Sequence, residues 1–311
     1  MGGYVDDRSG EPEQVTLLAV GGTGESFVGD RRREVNGLLR DVTSGLDERF
    51  RCRWIGYPAS YGPAPQLDGM SYLESVAIGV DALRAALAET SGPVALIGYS
   101  QGAVVIRTAV HDLYAAGDPS VERILAMGFV ADPHQPPRVV EGCSGWGVAG
   151  AGPALPPGTP AHWVGAPDDM ICNASEDSFI RDIADLTAGL AFGRLRDWLM
   201  LVRNRLQRND LQNAHRTSPG FSQIRRDITR LASAAREVVG YLPDTLAFRG
   251  LVVRNRRGGR HTSYAREPYR RASVTDPDTT GCQDLAAWLQ VCATFLPVVS
   301  YPGPADRSLA A

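Results

Sequence analysis

Two hydrophobic periodicities alternate along the first half of the chain. Short apolar runs, VTLLAV at Val15–Val20 and CRWIGYP at Cys52–Pro58, end in glycine or proline, the pattern of fully buried strands. Between Ser71 and Leu87, the positions Leu73, Val76, Ala77, Val80, Leu83 and Leu87 recur at three- and four-residue steps, which predicts an amphipathic helix. PVALIGYS at Pro93–Ser100 predicts the next strand and Ala103–Tyr114 the helix behind it. RILAMGFVADP (Arg123–Pro133) and AHWVGAP (Ala161–Pro167) predict two more strands, each closed by proline. Strands alternating with helices imply a central, mainly parallel sheet covered on both faces, a three-layer α/β sandwich.

From about Ser175 to Tyr241 the strand signals stop. Phe179, Ile183, Leu186, Leu190, Leu195, Trp198, Val202 and Leu206 recur at mostly helical steps, with a break expected near Gly189 or Gly193. A second helical set follows at Ile224, Ile228, Leu231, Ala235, Val238 and Leu242. The arginine- and glycine-rich RNRRGGRHTSY is expected to return the chain to the sheet, and Cys282–Leu296 to form a closing helix. This gives an N-terminal tail (1–14), a first part of the core (15–174), a helical insertion (175–248) and the rest of the core (249–311). The insertion is expected to serve substrate access; its apolar stripe of Leu195, Trp198, Leu199 and Val202 can pack on the core, the role expected for most of these residues, or face a long lipid chain.

At 311 residues the chain suits one large α/β domain carrying an insertion. A net charge of −3 gives no reason to expect nucleic-acid binding, and no apolar stretch approaches the ~20 residues that span a bilayer. The start MGGYVDDRSGEPEQ has neither a basic n-region nor an apolar h-region, so the protein is expected to be made and kept in the cytoplasm until something releases it. All the basic residues are arginine. Without lysine, P-loop and Schiff-base chemistry are excluded, and GGTGES at Gly21–Ser26 is not a phosphate cradle. Five cysteines cannot all pair within the chain, and none has zinc-ligand spacing. Cys143 and Cys172 flank a Gly/Pro-rich stretch and could pair; Cys282 and Cys292, in one helix, should not.

Gly98-Tyr99-Ser100-Gln101-Gly102 falls between a predicted strand and a predicted helix, the setting in which G-x-S-x-G carries chemical meaning. A serine on that turn projects its hydroxyl at a helix N-terminus, where developing negative charge is favoured. It needs a base and an orienting acid, which follow the serine in this architecture. Of His111, His134, His162, His215 and His261, the last lies beyond all the strands and before the closing helix; His134, at a strand end, is its rival. AHWVGAPDDMIC offers Asp168 and Asp169 in a turn after an apolar run, and spacing does not choose between them; Asp132 is a weaker candidate. The Gln101 N–H and an N–H from Thr23 or Gly24 would form the oxyanion hole.

With these residues in place, the chain resembles the cutinase-like serine esterases of the α/β-hydrolase superfamily. It is most similar to the lysin B enzymes of phages that infect mycolic-acid bacteria. The GYSQG elbow carries their glutamine after the nucleophile, and VGGTGE is similar to their oxyanion segment, though that usually has histidine in place of Gly21. Asp169 before Cys172 matches the cutinase Asp-x-x-Cys pattern, which selects Asp169 over Asp168; His261 with Tyr264 matches His-x-x-Tyr. A helical linker between acid and base is a lysin B feature. The resemblance implies a cutinase-like α/β-hydrolase fold, with Ser100, Asp169 and His261 catalytic, Thr23 and Gln101 at the oxyanion, and no metal or organic cofactor. It further implies hydrolysis of the ester joining mycolic acids to arabinogalactan, in the cell envelope, during phage lysis. Acyl transfer to a sugar would use the same triad. PE-PPE-type hydrolase domains share the elbow, although those are expected joined to other domains. A reading from another class is a non-catalytic binding or virion protein on a hydrolase fold, in which a triad member is ordinarily lost.

Overall fold

The computed structural model describes residues 14–63, 68–176, 178–191, 195–208, 230, 233–241, 245–248, 251–256, 258–269 and 276–295. The chain opens with β1 (Val15–Val20), α1 (Leu39–Thr43), β2 (Phe50–Trp54), α2 (Tyr72–Glu89), β3 (Val94–Tyr99) and α3 (Gln101–Ala115). A 3-10 turn (Pro119–Arg123) leads to β4 (Ile124–Val130) and β5 (Ala161–Val164). The five strands form one sheet in the order β2-β1-β3-β4-β5, every ladder parallel.

Alternation along the strands builds two cores. On β1 and β3, Leu18, Val20, Val94 and Leu96 face the layer made by α2 and α3. Their neighbours Leu17, Ala19, Ala95 and Ile97 face the layer that contains α1 and the last helix. Successive side chains of a strand point to opposite faces, so a strand buried on both sides reads as one continuous apolar run. That is how VTLLAV and VALIGY read. The helix α2 starts where Ser71 and Glu74 form a reciprocal capping box. The fold is thus an α/β-hydrolase-type three-layer sandwich.

From β1 the chain passes to β2 on one side, and from β2 it crosses back to β3 on the other side of β1. The crevice at the strand C-termini lies at this reversal, where open parallel sheets hold their sites. β2 differs from the expected strand: it starts at Phe50 and stops at Trp54. Ile55 makes one more bond, donating to the Ala19 carbonyl at 2.9 Å. The chain then turns away, because the Tyr57 N–H bonds to the Ser26 hydroxyl and not to a strand.

The insertion contains α4 (Phe179–Thr187), α5 (Leu195–Arg208) and α6 (residues 233–241) among the described residues. The break between α4 and α5 includes Gly189; Gly193 lies outside the described residues. On α5 the expected stripe divides: Trp198 donates to the Leu186 carbonyl at 2.8 Å, whereas Leu199 is 53% exposed. Val202 is half-buried, and nothing is described of the Leu195 side chain. Ile224, Ile228, Leu231, Leu242 and His215 lie outside the described residues.

At the end of the insertion, β6 (Thr245–Phe248) and β7 (Leu251–Arg254) pair antiparallel as a hairpin separate from the central sheet, and the chain then returns to the sheet, where Tyr264 joins the second core. A 3-10 helix (Arg260–Ala265) and α7 (Gly281–Thr294) follow, and Leu285 and Leu289 of α7 complete the second core. All five cysteines are thiols; Cys143 and Cys172, buried side by side, touch without being bonded. No helix among the described residues is long and apolar enough to cross a membrane.

The elbow after β3 demands glycine on both sides. A Cβ on Gly98 would lie 2.7 Å from the Ala103 nitrogen, and one on Gly102 would lie 2.0 Å from the Val20 carbonyl oxygen. Neither neighbour is a flexible side chain, so the backbone itself would have to move. Gly102→Ala is therefore expected to cost about 3 kcal/mol, the upper part of the overpacking range. Thermal unfolding should show a midpoint roughly 5–10 °C lower; an unchanged midpoint would contradict this account of the contact.

Candidate active site

Ser100 sits between β3 and α3 with φ 52 and ψ −116, a left-handed conformation that few residues other than glycine adopt. Its N–H donates to the Val130 carbonyl at 2.9 Å, extending the β3–β4 ladder by one rung. The strained turn lifts the side chain off the sheet at the first turn of α3, and Ser100 keeps 9% of its surface exposed.

His261 lies on the 3-10 helix beyond the insertion, and its Nε2 is 3.1 Å from the Ser100 Oγ. Its Nδ1 is 2.9 Å from the Asp169 Oδ2. Asp169 stands in the turn after β5 and is fully buried, while its neighbour Asp168 is exposed. The structure thus brings Ser100, His261 and Asp169 into one line and leaves Asp168 out of it. The rivals are engaged elsewhere. His134 bonds the Gly150 carbonyl through Nδ1, and burial pushes its pKa down. Asp132 is held by Arg107 at 2.6 Å and by the Trp163 indole at 3.0 Å. His111 bonds the Ala154 carbonyl, and His162 pairs with Asp284.

A buried carboxylate needs compensation. Tyr264 donates to the Asp169 Oδ2 at 2.6 Å, and the Ile171 N–H reaches Oδ1 at 3.0 Å. Burial by itself would push the Asp169 carboxyl up. The charge of His261 and the hydrogen bonds from His261, Tyr264 and Ile171 outweigh it and hold the group below the usual carboxylate range. With its proton committed to Asp169, the Tyr264 hydroxyl can accept from the Cys172 thiol 3.5 Å away and from the Ala166 N–H at 3.1 Å. The sequence reading had Tyr264 and Cys172 only as pattern matches; the structure joins both to the acid.

Tyr99, inside the elbow motif, had no place in that reading. Strand alternation turns it to the second core, where its hydroxyl donates to the His261 carbonyl at 2.8 Å. Its ring stacks on the imidazole with centroids 5.1 Å apart. The base is therefore gripped by the residue that precedes Ser100.

Of the N–H groups of Gly22, Thr23 and Gly24 in the segment after β1, that of Thr23 is the free one among the described residues. The Gly22 N–H is taken by the Glu25 carboxylate at 2.8 Å and the Gly24 N–H by the Ala59 carbonyl at 2.8 Å. Gly24, one of the two expected donors, is thereby spent, and among the described residues the Thr23 N–H has no acceptor. The Gln101 N–H, first in α3, has no partner in its own helix. The two side chains tie these donors together: the Thr23 hydroxyl donates to the Gln101 Oε1 at 3.0 Å, and the Gln101 Nε2 donates to the Ser60 carbonyl at 3.0 Å. Glu25 is the internal brace of the loop. Burial raises its pKa, opposed by the N–H groups of Leu38 and Gly22.

A family model described as the PE-PPE domain matches residues 50–147, which include Ser100 and end before Asp169 and His261. No curated protein matches the sequence. Among solved structures, an acetylxylan esterase is 21% identical, with 63% of this chain and 100% of that chain covered and a TM-score of 0.39. A cutinase-like protein from Cryptococcus sp. is 17% identical, covering 51% of this chain and 79% of its own, with a TM-score of 0.37. Trichoderma reesei cutinase in complex with a phosphonate inhibitor is 26% identical over 40% of this chain and 54% of that chain, with a TM-score of 0.29.

Tyr264→Phe removes one donor from the buried carboxylate and is expected to cost about 2 kcal/mol at pH 7, the scale of a hydrogen bond to a charged group. Because the folded Asp169 pKa is depressed, its stabilising contribution is present above the unfolded value near ~4 and is lost as pH falls through the folded value. The stability gap between wild type and Tyr264→Phe, measured by denaturant unfolding, should therefore close as pH drops below about 4. A gap that stays constant with pH would show that the hydroxyl does not act through the carboxylate.

Proposed function

We propose that this protein is a serine carboxylic ester hydrolase. The observation that carries the reading is the hydrogen-bonded line from Asp169 through His261 to Ser100, 2.9 and 3.1 Å, beside two unpaired N–H groups. In this reading His261 takes the Ser100 proton as the Oγ attacks the ester carbonyl. The tetrahedral oxyanion is held by the Thr23 and Gln101 N–H groups, and its collapse passes the proton from His261 to the departing alcohol. His261 then activates water, which releases the acid from Ser100. Asp169 keeps the Nδ1 proton in place, so that Nε2 is free to act as the base. No step calls on a metal or organic cofactor.

The substrate we propose is a lipid ester of the cell envelope, specifically the mycolyl ester of arabinogalactan, with lysis of a mycolic-acid host as the setting. The resemblance of the elbow, the Asp-x-x-Cys turn and the helical insertion to lysin B enzymes supports this. The PE-PPE match favours a second reading, a hydrolase or acyltransferase acting on other acyl esters. Incubation with mycolyl-arabinogalactan, with and without an added sugar acceptor, separates them. Free mycolic acid irrespective of acceptor supports the first reading; acylated sugar, or no release of mycolic acid, supports the second.

Two sets of variants test the machinery. A fluorophosphonate should label wild type at Ser100, and Ser100→Ala should lose the label and roughly 10⁴- to 10⁶-fold in turnover of p-nitrophenyl esters with its thermal midpoint kept. A variant that retains a tenth of the activity would remove Ser100 from the role. Asp169→Asn should lower kcat by about 10⁴, the scale seen when the tautomer is lost, whereas Asp168→Asn, on an exposed residue, should change kcat less than about threefold. The reverse order would place the acid one residue earlier.

A further inference from the structure

The insertion reaches the candidate site at two points, one at His261 and one at Tyr61, beside the Ser60 carbonyl that holds the Gln101 side chain. On the histidine side, Tyr241 at the end of α6 lies against the His261 ring, with centroids 5.4 Å apart and planes tilted by 42°. Three contacts fix α6 there. Gly240 abuts the acid turn so closely that a Cβ would lie 2.3 Å from the Asp168 carbonyl oxygen. Val238 packs on the buried cluster of Val148, Ala174 and Ile180, as do Met170 and Ile171, the two residues that follow Asp169. The Glu237 carboxylate accepts from the Ser175 N–H at 2.8 Å and from the Ser178 hydroxyl. Tyr241 itself remains 41% exposed, so its outer surface is available to a ligand.

On the oxyanion side stands Tyr61, next to the Ser60 whose carbonyl holds the Gln101 side chain. Its hydroxyl shares a 2.8 Å hydrogen bond with the Thr187 hydroxyl at the end of α4, and its ring is backed by Tyr72 with centroids 5.0 Å apart. α4 is docked on the start of α2 through the Leu73 N–H and the Ala188 carbonyl, 3.2 Å apart. Two aromatic side chains, both seated by the insertion, therefore stand beside the triad, Tyr241 on the His261 ring and Tyr61 next to Ser60. Rigid tyrosines with an apolar face and a polar tip suit the sides of a channel that takes a hydrocarbon chain at a wet protein surface.

We propose that Tyr61 and Tyr241 form the two walls of the acyl-chain site, so that the insertion, through the tyrosines it seats, selects the acyl groups that reach Ser100. The inference rests on the esterase reading and adds to it the residues that recognise the acyl part. Nothing in it changes the order of proton transfers. The walls act on binding of the chain, and their loss is read as a change in selectivity between long and short acyl groups.

The test compares kcat/KM for p-nitrophenyl octanoate and p-nitrophenyl acetate in the full-length protein. Tyr241→Ala and Tyr61→Ala should each lower the octanoate-to-acetate ratio about tenfold, the scale of losing an apolar contact in a substrate pocket, and mainly through KM for octanoate. Tyr241→Phe, which keeps the ring, should hold the ratio within about twofold of wild type. Thr187→Val frees Tyr61 from α4 without altering the cleft surface and should lower the ratio about threefold, which keeps the test decisive if Tyr61→Ala does not fold. Unchanged ratios in folded alanine variants, or a fall as large in Tyr241→Phe as in Tyr241→Ala, would overturn the proposal and leave the esterase reading standing. A wild type that hydrolyses neither ester and takes no fluorophosphonate label would overturn both.

Discussion

Everything at the candidate site hangs on one close approach, that of the elbow backbone to the end of β1. With Gly102 packed against the Val20 carbonyl, α3 can start directly above the sheet, and Ser100 is driven to a positive φ. Only there does its hydroxyl clear the sheet while the Gln101 N–H points the same way. The conformation is unfavourable for a serine and is held by what surrounds it: the Val130 carbonyl on its N–H and fully buried strands on either side. Strain of this kind survives because the layers on both faces of the sheet leave the backbone no alternative.

The second constraint is the buried charge of Asp169. A carboxylate with no solvent contact must collect donors, and it collects them from three places in the chain: the 3-10 helix through His261 and Tyr264, its own turn through Ile171, and, one step removed, Cys172 through Tyr264. These bonds orient His261 and, at the same time, tie the segment after the insertion to the segment before it. The insertion is thereby spliced into the site. Its last helix rests on the acid turn, and its first contacts the loop beside the oxyanion donors. A segment placed between acid and base in sequence must begin and end close to the crevice, and here it brings Tyr241 to His261 and holds Tyr61 of the core through Thr187.

Much of this was readable in the residues. The continuous apolar runs of β1, β3 and β4 and the three- and four-step pattern of α2 specify buried parallel strands and an amphipathic helix, since those patterns answer to local geometry and burial alone. The elbow was legible because two glycines and a serine at fixed spacing serve a purely local steric need. Harder were the features that depend on distant partners. Spacing could not choose between Asp168 and Asp169, since adjacent residues in a turn differ only in which one the fold turns inward. Tyr99 and Tyr241 carry no signature as neighbours of a histidine. The return through a separate hairpin was also hidden, because LVVR reads equally well as a strand of the main sheet.

The sequence by itself therefore determined the layers of the sandwich, the position of Ser100 on its strained turn, and the set of acids and histidines available to serve it. Tertiary structure decided which of them meet. It buried Asp169 and exposed Asp168, bound His134 and Asp132 into other contacts, spent the Gly24 N–H on Ala59 and left that of Thr23 free, and set Tyr241 against His261 and Tyr61 against Thr187. The physical reason is one of range. Strand and helix patterns and tight turns are settled by neighbours a few residues away, whereas burial, hydrogen-bond partnership and ring contacts are settled by groups far more distant in the chain, such as Ser100 and His261, whose separation of 161 closes only when the sheet and the insertion have packed.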